Sequence, residues 1–248
     1  MRTPARACII ALKSNGAPAV LQAARAGEMP RLGRLAAEGV LAPVVEAPSV
    51  EGFWRSLATG TWQATAAGGI AGQESLWEAA RAAGWQTVLL GFPPDPDSTA
   101  RPADLGAAVG GTWDLLAVGM TIPADAAGRV EADGALGAVV GAAGKDCLVV
   151  VAAAGGGSAF AVLSGPGIRR GAILERVVRV NDLAPTVAHL VELPVPPGTD
   201  GAVLHQAFHD PNVKTKQVRA LRDGLARVEK ALAEESWQPW HGTGEPAF

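Results

Sequence analysis

The chain has 248 residues, with 21 Lys+Arg against 24 Asp+Glu and a formal charge of −3. That near-balance argues against nucleic-acid binding, which needs a strongly basic face. A 48% hydrophobic, 18% charged composition excludes a disordered chain. The length suits one large α/β domain or two small ones.

The N-terminus, Met1 to Leu12, has basic residues, but its apolar run is short and is followed at once by Lys13, Ser14 and Asn15. No signal peptide is expected there. No stretch reaches the about 18 apolar residues of a membrane span. Cys8 and Cys147 sit inside apolar, strand-like runs and lack the company of a disulfide framework or zinc site. They read as buried free thiols in a reducing compartment, so a cytoplasmic location is expected.

In chain order, apolar runs alternate with Ala/Leu-rich helical stretches. Ala7–Leu12 reads as a buried strand, Ala17–Arg25 and Pro30–Glu38 as helices, and Val40–Glu46 as the next strand. Pro30 suits the first position of its helix and Gly39 its stop. Glu51–Ala58 is a short helix ended by Gly60, with Ser49 placed to cap it. Ser75–Ala83 is a helix, Thr87–Gly91 and Trp113–Val118 are strands, and Asp125–Ala143 is a helix interrupted by Gly. Asp146–Ala152, Ala159–Leu163 and Glu175–Val180 read as strands and Asp182–Val191 as a helix. The expected architecture is a three-layer α/β/α domain with a mostly parallel central sheet over residues 1–210.

Residues 211–248 change character. From Val213 to Glu235 the sequence is charged and carries Val218, Leu221, Leu225, Val228 and Leu232 at a 3-4-3-4 spacing. That is an a/d seam over about two heptads. It reads either as an amphipathic helix packed on its own domain or as one that pairs with another chain. The tail adds Trp237 and Trp240, whose indoles favour burial. A protein partner or homo-oligomer through this helix and tail is therefore expected, with no nucleic acid and no membrane.

Familiar chemical motifs fail. Gly144-Lys145 is set like a phosphate loop, but Val139 and Asp146 occupy places that need Gly and Ser or Thr. Gly155-Gly156-Gly157 follows a strand, yet another strand comes next, so no helix N-terminus stands ready for an anion. No serine lies in a Gly-x-Ser-x-Gly elbow, and the four histidines show no ligand spacing.

Several stretches in order carry a resemblance. They are Met29-Pro-Arg-Leu-Gly-Arg-Leu-Ala-Ala-Glu-Gly-Val40, Ala47-Pro-Ser49 with Ser56-Leu-Ala-Thr-Gly60, and Ser75 to Gly84 with Gly91-Phe-Pro93. Further on come Ser164-Gly-Pro-Gly-Ile168, Val180-Asn-Asp-Leu-Ala-Pro-Thr-Val187, Leu193-Pro194 and Asp200-Gly201. Over about residues 6–208 the chain resembles the alkaline phosphatase superfamily, in its type I phosphodiesterase/nucleotide pyrophosphatase branch. The resemblance implies an alkaline phosphatase-like fold, and in active members two divalent metals held by Asp and His around a Thr or Ser nucleophile. Here the first ligand position is Lys13, and Val50 stands at the nucleophile position. Asp125 keeps its place, while its companion His is Arg129. The family's Asp-His-Gly appears as Ala153-Ala154-Gly155.

The resemblance therefore implies a catalytically inactive member, with no cofactor and no metal, acting as a structural or regulatory subunit or ligand-binding module. Lys13, Arg129 and Asp125 are candidates for an anion site where metals once sat. The alternative is a metal-independent or rearranged phosphoesterase using Ser49 with Lys13 and Arg129. Lys13, Ser49, Val50, Asp125, Arg129 and Ala153 are expected to gather at the carboxyl ends of the strands.

Overall fold

Long apolar runs with no alternating polar residue belong in a sheet covered on both faces, and the computed structural model places them there. It describes residues 4–62, 73–91, 105, 109–210, 222, 224–226 and 228–229. The chain divides into two compact units, Met1–His209 and Asp210–Phe248.

In the first unit the strands are β1 (Arg6–Ser14), β2 (Val40–Ala42), β3 (Val45–Glu46), β4 (Thr87–Leu90), β5 (Leu115–Ile122), β6 (Cys147–Gly155), β7 (Ser158–Ser164), β8 (Ala172–Ile173) and β9 (Val178–Arg179). The helices are α1 (Ala17–Arg25), α2 (Pro30–Glu38), α3 (Val50–Thr59), α4 (Leu76–Ala82), α5 (Ala126–Ala143) and α6 (Leu183–Val191). Seven strands form one sheet in the order β4-β5-β1-β6-β7-β2-β8, and β3 pairs with β9 in a second. Only β7 runs against its neighbours in the large sheet.

The period-2 alternation of β1 divides two cores. Ala7, Ile9 and Ala11 pack with Phe53, Trp54 and Leu57 of α3 and with α6. Cys8, Ile10 and Leu12 face α1, α2 and α5. These are the three layers, with helices on both faces of the sheet. Helix ends follow local chemistry: Ser49 caps α3, Ser75 and Glu78 form a capping box on α4, and Gly60 (φ 71) closes α3 in the left-handed region.

Strand ends differ from the sequence reading in several places, as with Leu115–Ile122 in place of Trp113–Val118, and three differences bear on the architecture. Val40–Glu46 is two strands in two sheets, because Pro43 has no N–H to continue the ladder. Of Glu175–Val180 only Val178–Arg179 pairs, since Val180–Asp182 already turns as a 3-10 helix. β8 was not anticipated. β2 and β8 pair Leu41 with Ile173, whereas β3 and β9 pair Val45 with Val178, so the second strand of the ladder carries one extra residue. That extra residue lies in the connection between β8 and β9, where the chain passes from one sheet to the other.

In the second unit, residues 222, 224–226 and 228–229 are helical, and Leu225 and Val228 are exposed. Val218, Leu221, Leu232, Trp237 and Trp240 lie outside the described residues. Among the described residues no helix is long and apolar enough to cross a membrane.

Candidate functional site

The parallel run of β5, β1 and β6 brings their carboxyl ends to one edge of the sheet, where open α/β sheets bind ligands. There Lys13 pairs in register with Thr121 on one side and Ala154 on the other. Lys13 continues the alternation of Ile9 and Ala11 and so faces the α3 layer. Lys13 and Thr121 are exposed, while Ala154 is buried. Ala153 pairs with Leu12 and Phe160 and turns to the other core.

Ser49 is committed to α3. Its Oγ accepts the Gly52 N–H at 2.8 Å, and Val50, the expected nucleophile position, begins the helix. Asp125 follows β5 and caps α5 in the same way, its carboxylate accepting the Gly128 N–H at 2.7 Å. Arg129 stands in the first turn of α5, on the α1/α2 side. Its guanidinium donates to Glu28 at 2.9 Å and to the carbonyl of Ala124. Glu28, in the turn between α1 and α2, is its neutralising partner. Lys13 and Arg129 therefore root on opposite layers, and Ser49, Asp125 and Arg129 each hold a structural partner.

The β6–β7 hairpin closes through Gly156 (φ 62) and Gly157 (φ 75), the paired left-handed residues of a tight two-residue turn. It presses on the loop after β1: a Cβ at Gly155 would lie 1.6 Å from the Ser14 carbonyl oxygen. Ser14 Oγ is buried there without a hydrogen-bond partner among the described residues.

A two-metal centre needs carboxylates and imidazoles to neutralise and fix each cation. The ends of β1 and β6 offer an ammonium group and two methyl groups instead. Among the described residues no group of three His, Cys, Asp or Glu is placed to hold a metal. The residues present do not fit the pair of cations that the resemblance implies.

The shared C-terminal motifs have a clear physical role. The carbonyl of Gly60 accepts the N–H groups of Asp200 and Gly201, each at 3.1 Å, and Thr199 Oγ1 donates to the Thr59 carbonyl at 3.0 Å. The Asp200 carboxylate accepts Trp62 N–H at 3.0 Å and Asn181 Nδ2 at 2.7 Å. Asp182 accepts Ala202 N–H, and Thr186 Oγ1 accepts Leu204 N–H. Gly201 must be glycine, for a Cβ would meet the Asn181 carbonyl oxygen at 2.0 Å. Together these bonds clasp the end of α3 to the start of α6. The sequence motifs contain Gly60, Asn181, Asp182, Thr186, Asp200 and Gly201 but not Trp62, Thr199, Ala202 or Leu204, and they signal neither this role nor Glu28.

Neither the protein-family models nor the curated proteins give a match to the sequence. Solved structures do. A 2-O GAG sulfatase aligns with TM-score 0.64 at 13% identity, over 84% of this chain and 74% of its own. Human ectonucleotide pyrophosphatase/phosphodiesterase 5 aligns with TM-score 0.61 at 9% identity, over 83% of this chain and 100% of its own. A protein of the alkaline phosphatase superfamily from Vibrio parahaemolyticus aligns with TM-score 0.59 at 13% identity, over 82% of this chain and 70% of its own. At such identities the likeness is one of fold.

Proposed function

We propose that this chain, which has the fold of the alkaline phosphatase superfamily, is a catalytically inactive, phosphodiesterase-like protein retained as a structural or regulatory subunit or ligand-binding module. One contrast carries the reading. The ends of α3 and α6 are joined by a hydrogen-bonded clasp through Gly60, Asp200, Asp182 and Thr186, while the strand ends that would perform chemistry present Lys13, Ala153 and Ala154. A scaffold kept intact around a dismantled centre is a scaffold used for binding.

The partner is another protein or a second copy, engaged through the helix and tail of residues 211–248. Exposed Leu225 and Val228, three residues apart on one helical face, support this. The Ser49 cap also weighs against the alternative phosphoesterase, because its hydroxyl is used to start α3.

The test is turnover of bis(p-nitrophenyl) phosphate by the full chain, with and without added zinc or manganese, beside Ser49→Ala. The expected rate is that of buffer for both proteins. Ser49→Ala is expected only to lower stability by about 1 kcal/mol through loss of the cap. Turnover that disappears in Ser49→Ala would establish the rearranged phosphoesterase instead.

A further inference from the structure

We infer that the β8 edge of the large sheet is a docking site for an extended, acidic segment of a partner protein, added as a further strand. β8 ends the sheet. The N–H groups of Ala172 and Leu174 are spent on the carbonyls of Gly39 and Leu41. Strand alternation therefore turns the N–H and C=O of Ile173 outward, the pair that an added strand takes up.

The side chains make a strip beside that edge. Ile173 is 60%, Val177 54% and Val44 57% exposed, three of the few large apolar residues left in solvent. Val44 and Val177 are neighbours, since the Val44 carbonyl accepts the Val178 N–H. Leu174 and Val178 are buried, so the strip is anchored to the core.

Charge identifies the occupant. Residues 169–179 carry Arg169, Arg170, Arg176 and Arg179 against Glu175 alone, in a chain whose net charge is −3. Arg169 donates to the Gln206 carbonyl, and Arg179 lies 3.9 Å from Glu46. Arg170 and Arg176 are exposed and form no ion pair with a described residue, and they bracket Ile173 three residues to either side. A second copy paired antiparallel about Ile173 would set Arg170 of each copy against Arg176 of the other, a like-charge contact that disfavours this dimer. A segment with acidic residues flanking alternate apolar ones meets the open peptide groups, the valines and both arginines. β8 has only two residues, so the added strand is short.

This docking site does not depend on whether the strand ends are catalytic. The test uses the full chain and a labelled nine-residue peptide of alternating Glu and Val, read by fluorescence anisotropy and by amide exchange at Ile173. The expected result is saturable, salt-weakened binding that slows Ile173 exchange at least about tenfold. Arg170→Glu/Arg176→Glu is expected to weaken binding at least about tenfold, and a Lys-for-Glu peptide to bind no more than buffer. Unchanged Ile173 exchange in saturating peptide would overturn the proposal, as would equal affinity of the double variant. So would a wild-type dimer that Ile173→Asp dissociates, for the edge would then belong to a second copy.

Discussion

Asp133 is 3% exposed in the middle of α5, and its carboxylate accepts the N–H groups of Arg31 and Leu32 at 3.0 and 2.9 Å. Those amides belong to the first turn of α2, which has no side-chain cap of its own. Asp133→Ala strands both donors and is expected to cost about 3 kcal/mol in urea unfolding, with Asp133→Asn costing less. The cysteines give a pH-dependent counterpart. Burial pushes the Cys147 thiol up to about 12 and the Cys8 thiol well above its ordinary value, with Cys147 adding to the second effect. Folding thus favours the neutral thiol. The contribution is complete below the unfolded value near 9.0 and is lost as pH rises through the window to about 12. At about pH 8 the folded protein is expected to leave both thiols unmodified by a disulfide reagent, and the unfolded protein to yield both. Ser49 was legible as a cap because its partner lies three residues away. Asp133 was not, because its partners lie 101 and 102 residues away.

The β6–β7 hairpin and α5 make opposite demands on glycine. Gly155 packs against the backbone after β1, and Gly155→Ala is expected to destabilise by about 3 kcal/mol or more, since backbone cannot step aside. Gly134 in α5 has open space around its missing Cβ, so Gly134→Ala is expected to raise stability by up to about 1 kcal/mol. Thermal melts of the two variants check both signs. The long elements were legible because apolar runs and local stop signals fix them: α1 and α2 fall at Ala17–Arg25 and Pro30–Glu38 as read. The edge elements were not. β8 has two residues, and its strand state is set by pairing with β2, 132 residues earlier in register. A Pro43 break within an apolar run looks like strand until the two halves are seen in different sheets.

Across the molecule, the order of the motifs is the feature that the fold answers to most directly. Several members of the motif series from Met29 to Gly201 have hydrogen-bonding tasks in the fold, as the Gly60–Asp200 clasp shows. Of the candidate site's expected positions, Lys13 and Ala154 pair in register at the carboxyl edge, beside Thr121, which the sequence did not single out. Its side-chain partners were not legible, since the Arg129–Glu28 pair depends on how the α1–α2 turn meets α5. The central claim is that this edge holds no pair of metal ions. Elemental analysis of the purified, unchelated full chain for zinc, manganese, iron and calcium tests it most directly. The account predicts well under about one tenth of a metal per chain, because a lysine and two alanines offer no ligand. One or two tightly held metals per chain would contradict it and return the protein to the metal-dependent hydrolases.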